Sequence, residues 1–478
     1  MESLLAQILR NVGLVIPIHG FVPDVMTIIN GKKKYVSHET ESVKIMNERH
    51  LIELIKTTSE ENFENCVSLL SDLISCKSYS GQEKDCADLL LQFCADNGIA
   101  ASRDSRGSVI AVGLPSSDLD RNENSKVTIK KYLKKCKADG VKILAYNAHM
   151  DVVHAENTSG WESPPFEAVR RNSRIYGRGT CDMKGALASM AVSLKLIKNL
   201  RTNEHSTNQI VVGCFCTEEE AGEGLGFRDL CEEFEFKPDM VLLGEPSQMQ
   251  IARGQRGKLE FFVDTEGKAV HTSVPETGES ALYKMARVLI AIENLELEER
   301  KKHGLAPQKM LKRNTLVATN IQSWPDSTSF VPNRVRTQVT VRTALNCTMK
   351  DIKARLQKSP EWPVDAEFVP LVYLDKSYTG KPSEWTCDHP AWETNSDHSF
   401  FKTLKKVYIK TLEAEPADKI WPFSTDGVYS AGMEKIPTLG LGPGREDCAH
   451  IVNEWVSEEQ ILQALMVYTA LPFADKII

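Results

Sequence analysis

Apolar positions recur in two rhythms along this chain, and the change between them divides it. From Glu60 to Gly98 the rhythm is helical. "ENCVSLLSDLI" carries apolar residues at helical spacing, and "SGQE" (Ser80 to Glu83) reads as a capping box before "CADLLLQFCADNG", which Gly98 ends. "SVIAVGL" (108–114) is strand-like, and the polar segment 115–140 after it reads as a solvated surface insertion. "VKILAYNAHMDVV" is a near-continuous apolar run, as expected of a strand buried on both faces of a mixed or parallel sheet. Residues 183–200 place Leu187, Met190, Ala191, Leu194 and Ile197 on one face, which predicts an amphipathic helix. Two more buried strands follow at 209–217 and 239–245. Strand alternating with helix in this way indicates an α/β domain.

From about Gly254 strict alternation takes over. "GKLEFFVDTEG", "NTLVATNIQS" and "RVRTQVTVRTAL" read as half-exposed strands, and 364–373 as a further strand. "GESALYKMARVLIAIENLE" and "MKDIKARLQ" read as helices. The order βαββαβ is that of a ferredoxin-like unit of roughly 120 residues. After about Leu374 the helix "FFKTLKKVYIKTLE" and the loops "FSTDG" and "LGLGPGREDCAHIVNE" return to the first texture. The expected organisation is an N-terminal extension (1–50) without clear periodicity, a catalytic domain in two parts (51–253 and 374–478), and an inserted domain (254–373).

Composition narrows the function classes. At 478 residues the chain is long enough for two or three domains. A net charge of −7 argues against nucleic acid or an anionic membrane as partner. No apolar run approaches the roughly 20 residues of a membrane span. Glu2 and Pro17 do not suit an export signal, so a cytoplasmic location is expected. The 12 cysteines are scattered, without a Cys-x-x-Cys, and Cys214 and Cys216 read as small buried hydrophobes.

Chemistry collects where the apolar runs stop. His149, Asp182, Glu218-Glu219-Glu220 and Glu245 follow strand-like segments, and His450 lies far downstream. In open α/β sheets, sites form beyond the carboxyl ends of the strands. Two histidines with several carboxylates suit zinc, with cobalt or manganese as alternatives, whereas calcium takes oxygen ligands only. One Asp bridging two metals, with a His and a carboxylate on each, would use the inventory fully. Such a pair holds a hydroxide and polarises a carbonyl. A further carboxylate then serves as general base and acid, a role that suits Glu219 beside Glu220. Each piece also has a plainer reading: a solvated acidic loop for 218–220, a helix N-cap for Asp182, a loop histidine for His450, and a turn residue for Asp151.

Taken together, the stretches "NAHMDVV", "YGRGTCDMKG", "CTEEEAGEG", "LLGEPS", "GKAVHTSVPETGESA" and "AHIVNE" resemble the dinuclear-zinc amidohydrolases that include acetylornithine deacetylase, succinyl-diaminopimelate desuccinylase and carboxypeptidase G. The resemblance covers about residues 60–478 and is nearest the subgroup called selenium-metabolism hydrolases. It implies a mixed-sheet zinc-peptidase-like catalytic domain with an inserted ferredoxin-like lid and dimerisation domain. It further implies that two divalent ions are held by His149, Asp182, Glu220, Glu245 and His450, with Asp182 bridging before a cis peptide to Met183. Asp151 would orient His149, Glu219 would be the base, and His271 would reach across a homodimer to the developing oxyanion.

Arg342, Arg256 and Gly442 are the substrate-side expectations from the same resemblance. The sequence departs from the family there: Ser329 stands where an asparagine is expected, and Gln255 replaces the first of two paired arginines. The implied activity is hydrolysis of the amide bond of an N-acyl or N-carbamoyl amino acid or a short peptide. A dipeptidase or aminopeptidase of the same fold, or a non-catalytic binding member, are the alternatives. The acyl group, the metal used and the role of residues 1–50 are left open.

Overall fold

The structure, a computed structural model, describes residues 25–29, 32–36, 38–113, 125–155, 158–201 and 209–478. The described residues before Ile52 form a unit of their own, with an antiparallel hairpin of Val25–Ile29 and Lys32–Val36. Among the described residues no helix is long and apolar enough to cross a membrane.

The remainder is built on a nine-stranded mixed sheet. At its centre Lys142–His149 runs parallel to both Gln209–Cys216 and Met240–Leu243, and Thr438–Gly440 extends the parallel set. Val109–Val112 and Ala100–Arg103 close one side as antiparallel strands. The other side is carried by Ile251–Gln255, against Asp418–Trp421 and Trp392–Glu393. The central strands are buried along almost their whole length, as their unbroken apolar runs require. Because they are parallel, their carboxyl ends fall along one edge, with His149 level with Cys216.

Helices cover both faces. The helix Gly185–Leu200 lies on one, where Leu194 abuts Gly213 and Ala186 and Met190 abut Gly244. It is buried on nearly every side, not on a single stripe, because the helices Phe63–Ser75 and Glu458–Ala470 pack over it. The segment read as a solvated insertion proves to be part of the opposite face. Its described part forms the helix Ser125–Ala138, whose Ile129, Leu133 and Cys136 join Ile143, Val212 and Phe234 in the core. Three apolar side chains at helical spacing outweigh the lysines between them; residues 114–124 lie outside the described residues.

The alternating segments form a second, antiparallel sheet. Its order is Thr315–Trp324, Arg334–Thr343, Gly257–Glu266, Glu367–Pro370, with Asp388–His389 added beside Gly257–Glu266. With the helices Ala281–His303 and Met349–Gln357 this is the ferredoxin-like arrangement. Phe261, Val288, Val339 and Ile352 lie in a core of its own. The strand expected over 364–373 is two strands. Glu367–Pro370 stays in the sheet, and after Leu371 the strand Val372–Lys376 leaves it to pair with Pro382–Thr386.

The capping box at Ser80–Glu83 is not made. The helix starts at Lys84, and neither side chain caps it. The Ser80 hydroxyl instead donates to Asp151 Oδ2 at 2.7 Å, and Glu83 Oε1 accepts from the Gly81 and Glu218 amides, both at 3.0 Å. Both side chains are drawn away to the site described next.

Candidate active site

His149 ends the central strand fully buried. Its Nε2 lies 3.1 Å from Asp182 Oδ1 and 3.8 Å from Glu245 Oε1. His450, approaching from the other end of the chain, places Nε2 3.2 Å from Asp182 Oδ2 and 3.0 Å from Glu220 Oε1. Two groups result, His149–Asp182–Glu245 and Asp182–Glu220–His450, the ligand atoms of each lying within 4.8 Å of one another. Asp182 belongs to both and precedes a cis peptide to Met183. It caps no helix, so its N-cap reading falls away.

The donor chemistry fits divalent cations. Burial, reinforced by neighbouring carboxylates, pushes Glu245 and Glu219 well above the ordinary carboxylate range and Glu220 up to about 7. For Asp182 burial acts the same way, but bonds from His149 and His450 outweigh it and hold the group below its usual range. Acidic groups this crowded and this dry are stabilised by a cation of matching charge, and imidazole nitrogens among the oxygens favour a transition metal. Glu219 stands apart from both groups. Its carboxylate is buried at the cleft, Oε2 is 3.9 Å from His149, and Oε1 has no hydrogen-bond partner.

Carboxylates that belong to neither group hold the framework. Asp151 was expected to orient the imidazole. The atom that meets His149 Nδ1 is its backbone carbonyl, at 2.9 Å, with the carboxylate 3.6 Å away. That carboxylate accepts the amides of Glu219 (3.1 Å) and Glu220 (3.0 Å) as well as the Ser80 hydroxyl. Glu454, inside "AHIVNE" but not singled out, accepts from the amides of Gly179, Cys181 and Asp182 and from Arg178 Nη1 at 2.6–3.0 Å. Asp426 joins Asn147 Nδ2 to the Gly224 amide, both at 2.8 Å. Residue type alone gave no signal for Glu454 or Asp426, although a charge inside an otherwise apolar neighbourhood is itself a pointer.

The carboxylates open into a cleft of about 290 Å³, lined across from them by Arg342, Lys258 and Glu223. Arg342 leaves Nη1 buried without a partner. Glu223 Oε1 accepts from Lys258 Nζ at 3.0 Å, while its Oε2 lies 2.9 Å from His389 Nδ1 without a hydrogen bond. The two other substrate-side residues, Arg256 and Gly442, do not line this cleft. Arg256 turns away from the cleft lining, and its Nη2 donates to the carbonyls of Arg313 and Arg342 at 2.8 and 2.6 Å. Gly442 supports the site from behind: a Cβ there would stand 2.0 Å from the Gly244 carbonyl oxygen and 2.4 Å from that of Glu245. His271 is exposed on the inserted domain, its Nδ1 2.7 Å from Ser273 Oγ, and it does not line the cleft of its own chain.

Residues 145–473 match the family described as peptidase family M20/M25/M40. The chain belongs to that family. It is 30% identical over 336 residues to the uncharacterized protein YgeY of Escherichia coli (strain K12), covering 70% of this chain and 81% of that protein. It is 27% identical over 433 residues to a probable succinyl-diaminopimelate desuccinylase of Staphylococcus epidermidis, covering 84% of this chain and 95% of that protein. Among solved structures, the aminopeptidase PepT of Bacillus cereus superposes with a TM-score of 0.63 at 18% identity, over 86% of this chain and 98% of that one. With the two ligand groups, this makes the M20 chain a metal-dependent peptidase or amidohydrolase.

Proposed function

We propose that this M20 protein hydrolyses the amide bond of an N-acyl or N-carbamoyl amino acid, with a short peptide as the alternative substrate. The observation that carries the reading is Asp182 at the junction of two ligand groups, with the unpartnered oxygen of Glu219 beside them. Two divalent ions, zinc in the first instance, would supply carbonyl polarisation and a water of lowered pKa. His149, Asp182 and Glu245 would hold one, and Asp182, Glu220 and His450 the other. Glu219 takes a proton from the attacking water and delivers it to the leaving nitrogen. Its place beside His149 and its unbonded oxygen suit both halves of that transfer.

The cleft wall favours an acylated substrate over one with a free α-amino group. Arg342 keeps an unmatched guanidinium nitrogen for a substrate carboxylate. Apart from the ligand groups and Glu219, the carboxylates lining the cleft each face a lysine, Glu223 Oε1 at 3.0 Å from Lys258 Nζ and Glu446 Oε1 at 2.5 Å from Lys419 Nζ. Each of these two carboxylates already has a cation opposite it, which disfavours a further ammonium group there.

A homodimer through the inserted domain completes the reading, with His271 serving the partner's site. The exposure of His271, and of Val317 and Ile321 on the edge strand Thr315–Trp324, supports it. The test is turnover of zinc-, cobalt- and manganese-loaded protein on N-acetyl, N-succinyl and N-carbamoyl amino acids and on dipeptides, with Glu219→Gln alongside. Acyl turnover that Glu219→Gln abolishes at unchanged metal content supports the proposal. Preference for dipeptides would move the reading to a dipeptidase; failure to bind any transition metal would end it.

A further inference from the structure

Of the three successive glutamates, Glu218 belongs to neither ligand group and does not line the cleft, yet it is the most tightly bound of them. Its side chain is fully buried. Oε2 accepts from Arg106 Nη1 at 2.8 Å, and Oε1 accepts from Ser383 Oγ at 2.6 Å and from the Tyr373 hydroxyl at 3.1 Å. Its amide donates to Glu83, and its carbonyl accepts from the Gly222 amide at 2.8 Å. Arg106 is equally enclosed. Its Nε reaches Asp229 Oδ2 at 2.8 Å, Nη1 also reaches Ser383 Oγ, and Nη2 reaches the Pro382 carbonyl.

Tyr373, Pro382 and Ser383 come from the hairpin that leaves the second sheet after Leu371. From the same hairpin Trp385 Nε1 donates to the Glu223 carbonyl at 3.0 Å. Both ends of the loop 218–223 are therefore gripped by one element. The backbone of Glu218 is left-handed, with φ 58°, a conformation that side-chain-bearing residues keep only where their surroundings hold it.

We propose that the buried Arg106–Glu218 pair, roofed by the hairpin of Val372–Lys376 and Pro382–Thr386, is the positioning device of the reaction. This rests on reading Glu219 as the proton carrier and Glu220 as a ligand. Neither Arg106 nor Glu218 touches the cleft; they act by setting the direction in which the next two side chains leave the loop. With the amides of residues 218, 219 and 220 all accepted by the carboxylates of Glu83 and Asp151, the loop is fixed through its backbone. The Glu219 carboxylate consequently stays unbonded for proton transfer. Burying an ion pair is a poor route to stability compared with packing apolar side chains of the same volume, and specifying one geometry is what such a pair does better.

The experiment compares Arg106→Met, the charge-free pair Arg106→Met/Glu218→Leu, and the milder Ser383→Ala, in full-length protein. Each is read by melting temperature, by titration of the metal-free protein with zinc or cobalt, and by kcat and KM. Arg106→Met is expected to lose about 10²-fold in kcat with KM within about threefold, the loss a displacement near 1 Å produces. One of the two ions should bind at least about tenfold more weakly while the other is retained. Ser383→Ala should show the same pattern at about tenfold in kcat. The charge-free pair should regain the melting temperature but not kcat or the second ion.

Folded variants that keep kcat and both metal affinities within about threefold of the parent would overturn the proposal. Recovery of activity together with stability in the charge-free pair would also overturn it. If Arg106→Met does not fold, Ser383→Ala and the charge-free pair decide by the same criteria. If the parent hydrolyses no compound tried, the metal titrations still decide: selective loss of one ion supports the positioning role, and unchanged binding refutes it. In that event only the substrate assignment fails.

Discussion

Replacing Glu454 by Gln tests whether the shared ligand Asp182 is held in place from behind. The carboxylate accepts four hydrogen bonds, two on each oxygen: Arg178 Nη1 (2.6 Å) and the Gly179 amide (3.0 Å) on Oε2, and the Cys181 (2.8 Å) and Asp182 (3.0 Å) amides on Oε1. An amide side chain keeps one acceptor oxygen and turns an NH₂ toward two donors. If the NH₂ faces the backbone, two buried amides go unpaired, at about 1–3 kcal/mol each. If it faces Arg178, the guanidinium and the Gly179 amide lose their acceptor as well as the counter-charge that either orientation removes, at about 3–5 kcal/mol. Either orientation costs about 4 kcal/mol. If half of that is released by letting Asp182 move, both ions should bind about 30-fold more weakly, since each 1.4 kcal/mol is tenfold. Competition with a chromophoric chelator measures both affinities, and denaturant unfolding of the metal-free protein measures the rest. A Glu454→Gln protein that unfolds within about 1 kcal/mol of the parent and binds both ions with parental affinity would refute the reasoning.

Gly442→Ala drives a methyl into the Gly244 and Glu245 carbonyls, so the ion on Glu245 should weaken first, with about 1–3 kcal/mol of destabilisation; equal weakening of both ions in a metal titration would count against it. Burial, and then the Asp151 charge, raise Glu83 from 4.5 to about 8, so the folded protein keeps this proton over a range where the unfolded chain has lost it. The sign is that of a raised carboxyl: stability is fully present below about pH 4.5 and is lost as pH rises to about 8, at up to about 1.4 kcal/mol per pH unit, an upper bound near 5 kcal/mol. Glu83→Gln should therefore gain on the parent by about 3–5 kcal/mol between pH 4.5 and 8 in denaturant unfolding, and a pH-independent difference would contradict this. His149→Ala should abolish one ion's binding, whereas Asp151→Asn, which turns an NH₂ toward loop amides, should keep both ions and lower kcat about 10²-fold; metal analysis with steady-state kinetics separates the two outcomes.

The residues that meet at the cleft were legible because parallel strands carry their chemistry at one edge. An apolar run that stops at His149, and others that stop before Glu218–Glu220 and Glu245, declare both the strand and its working end. How they are held was not legible, for a physical reason. Glu83, Asp151, Glu454 and Asp426 accept backbone amides from segments far away in the chain, and a carboxylate that binds an amide leaves no periodicity and no motif. The same limit hid the helix Ser125–Ala138, whose lysines masked four buried positions. It also misread Ser80, whose local spacing to Glu83 suited a cap while Asp151, remote in sequence, took the hydroxyl.

The run Glu218-Glu219-Glu220 shows where composition stops and geometry begins. Three identical side chains cannot be told apart by type, and an acidic loop of this kind is ordinarily a solvated surface. What separates them is direction. The left-handed turn at Glu218 sends its carboxylate inward to Arg106, leaves that of Glu219 unbonded at the cleft, and brings that of Glu220 to His450. The middle one keeps Oε1 without a hydrogen-bond partner while its backbone amide is held by Asp151. A proton carrier needs a fixed position and an unspent acceptor together. Side-chain hydrogen bonds would supply the first by removing the second, so anchoring through the backbone is the arrangement that meets both.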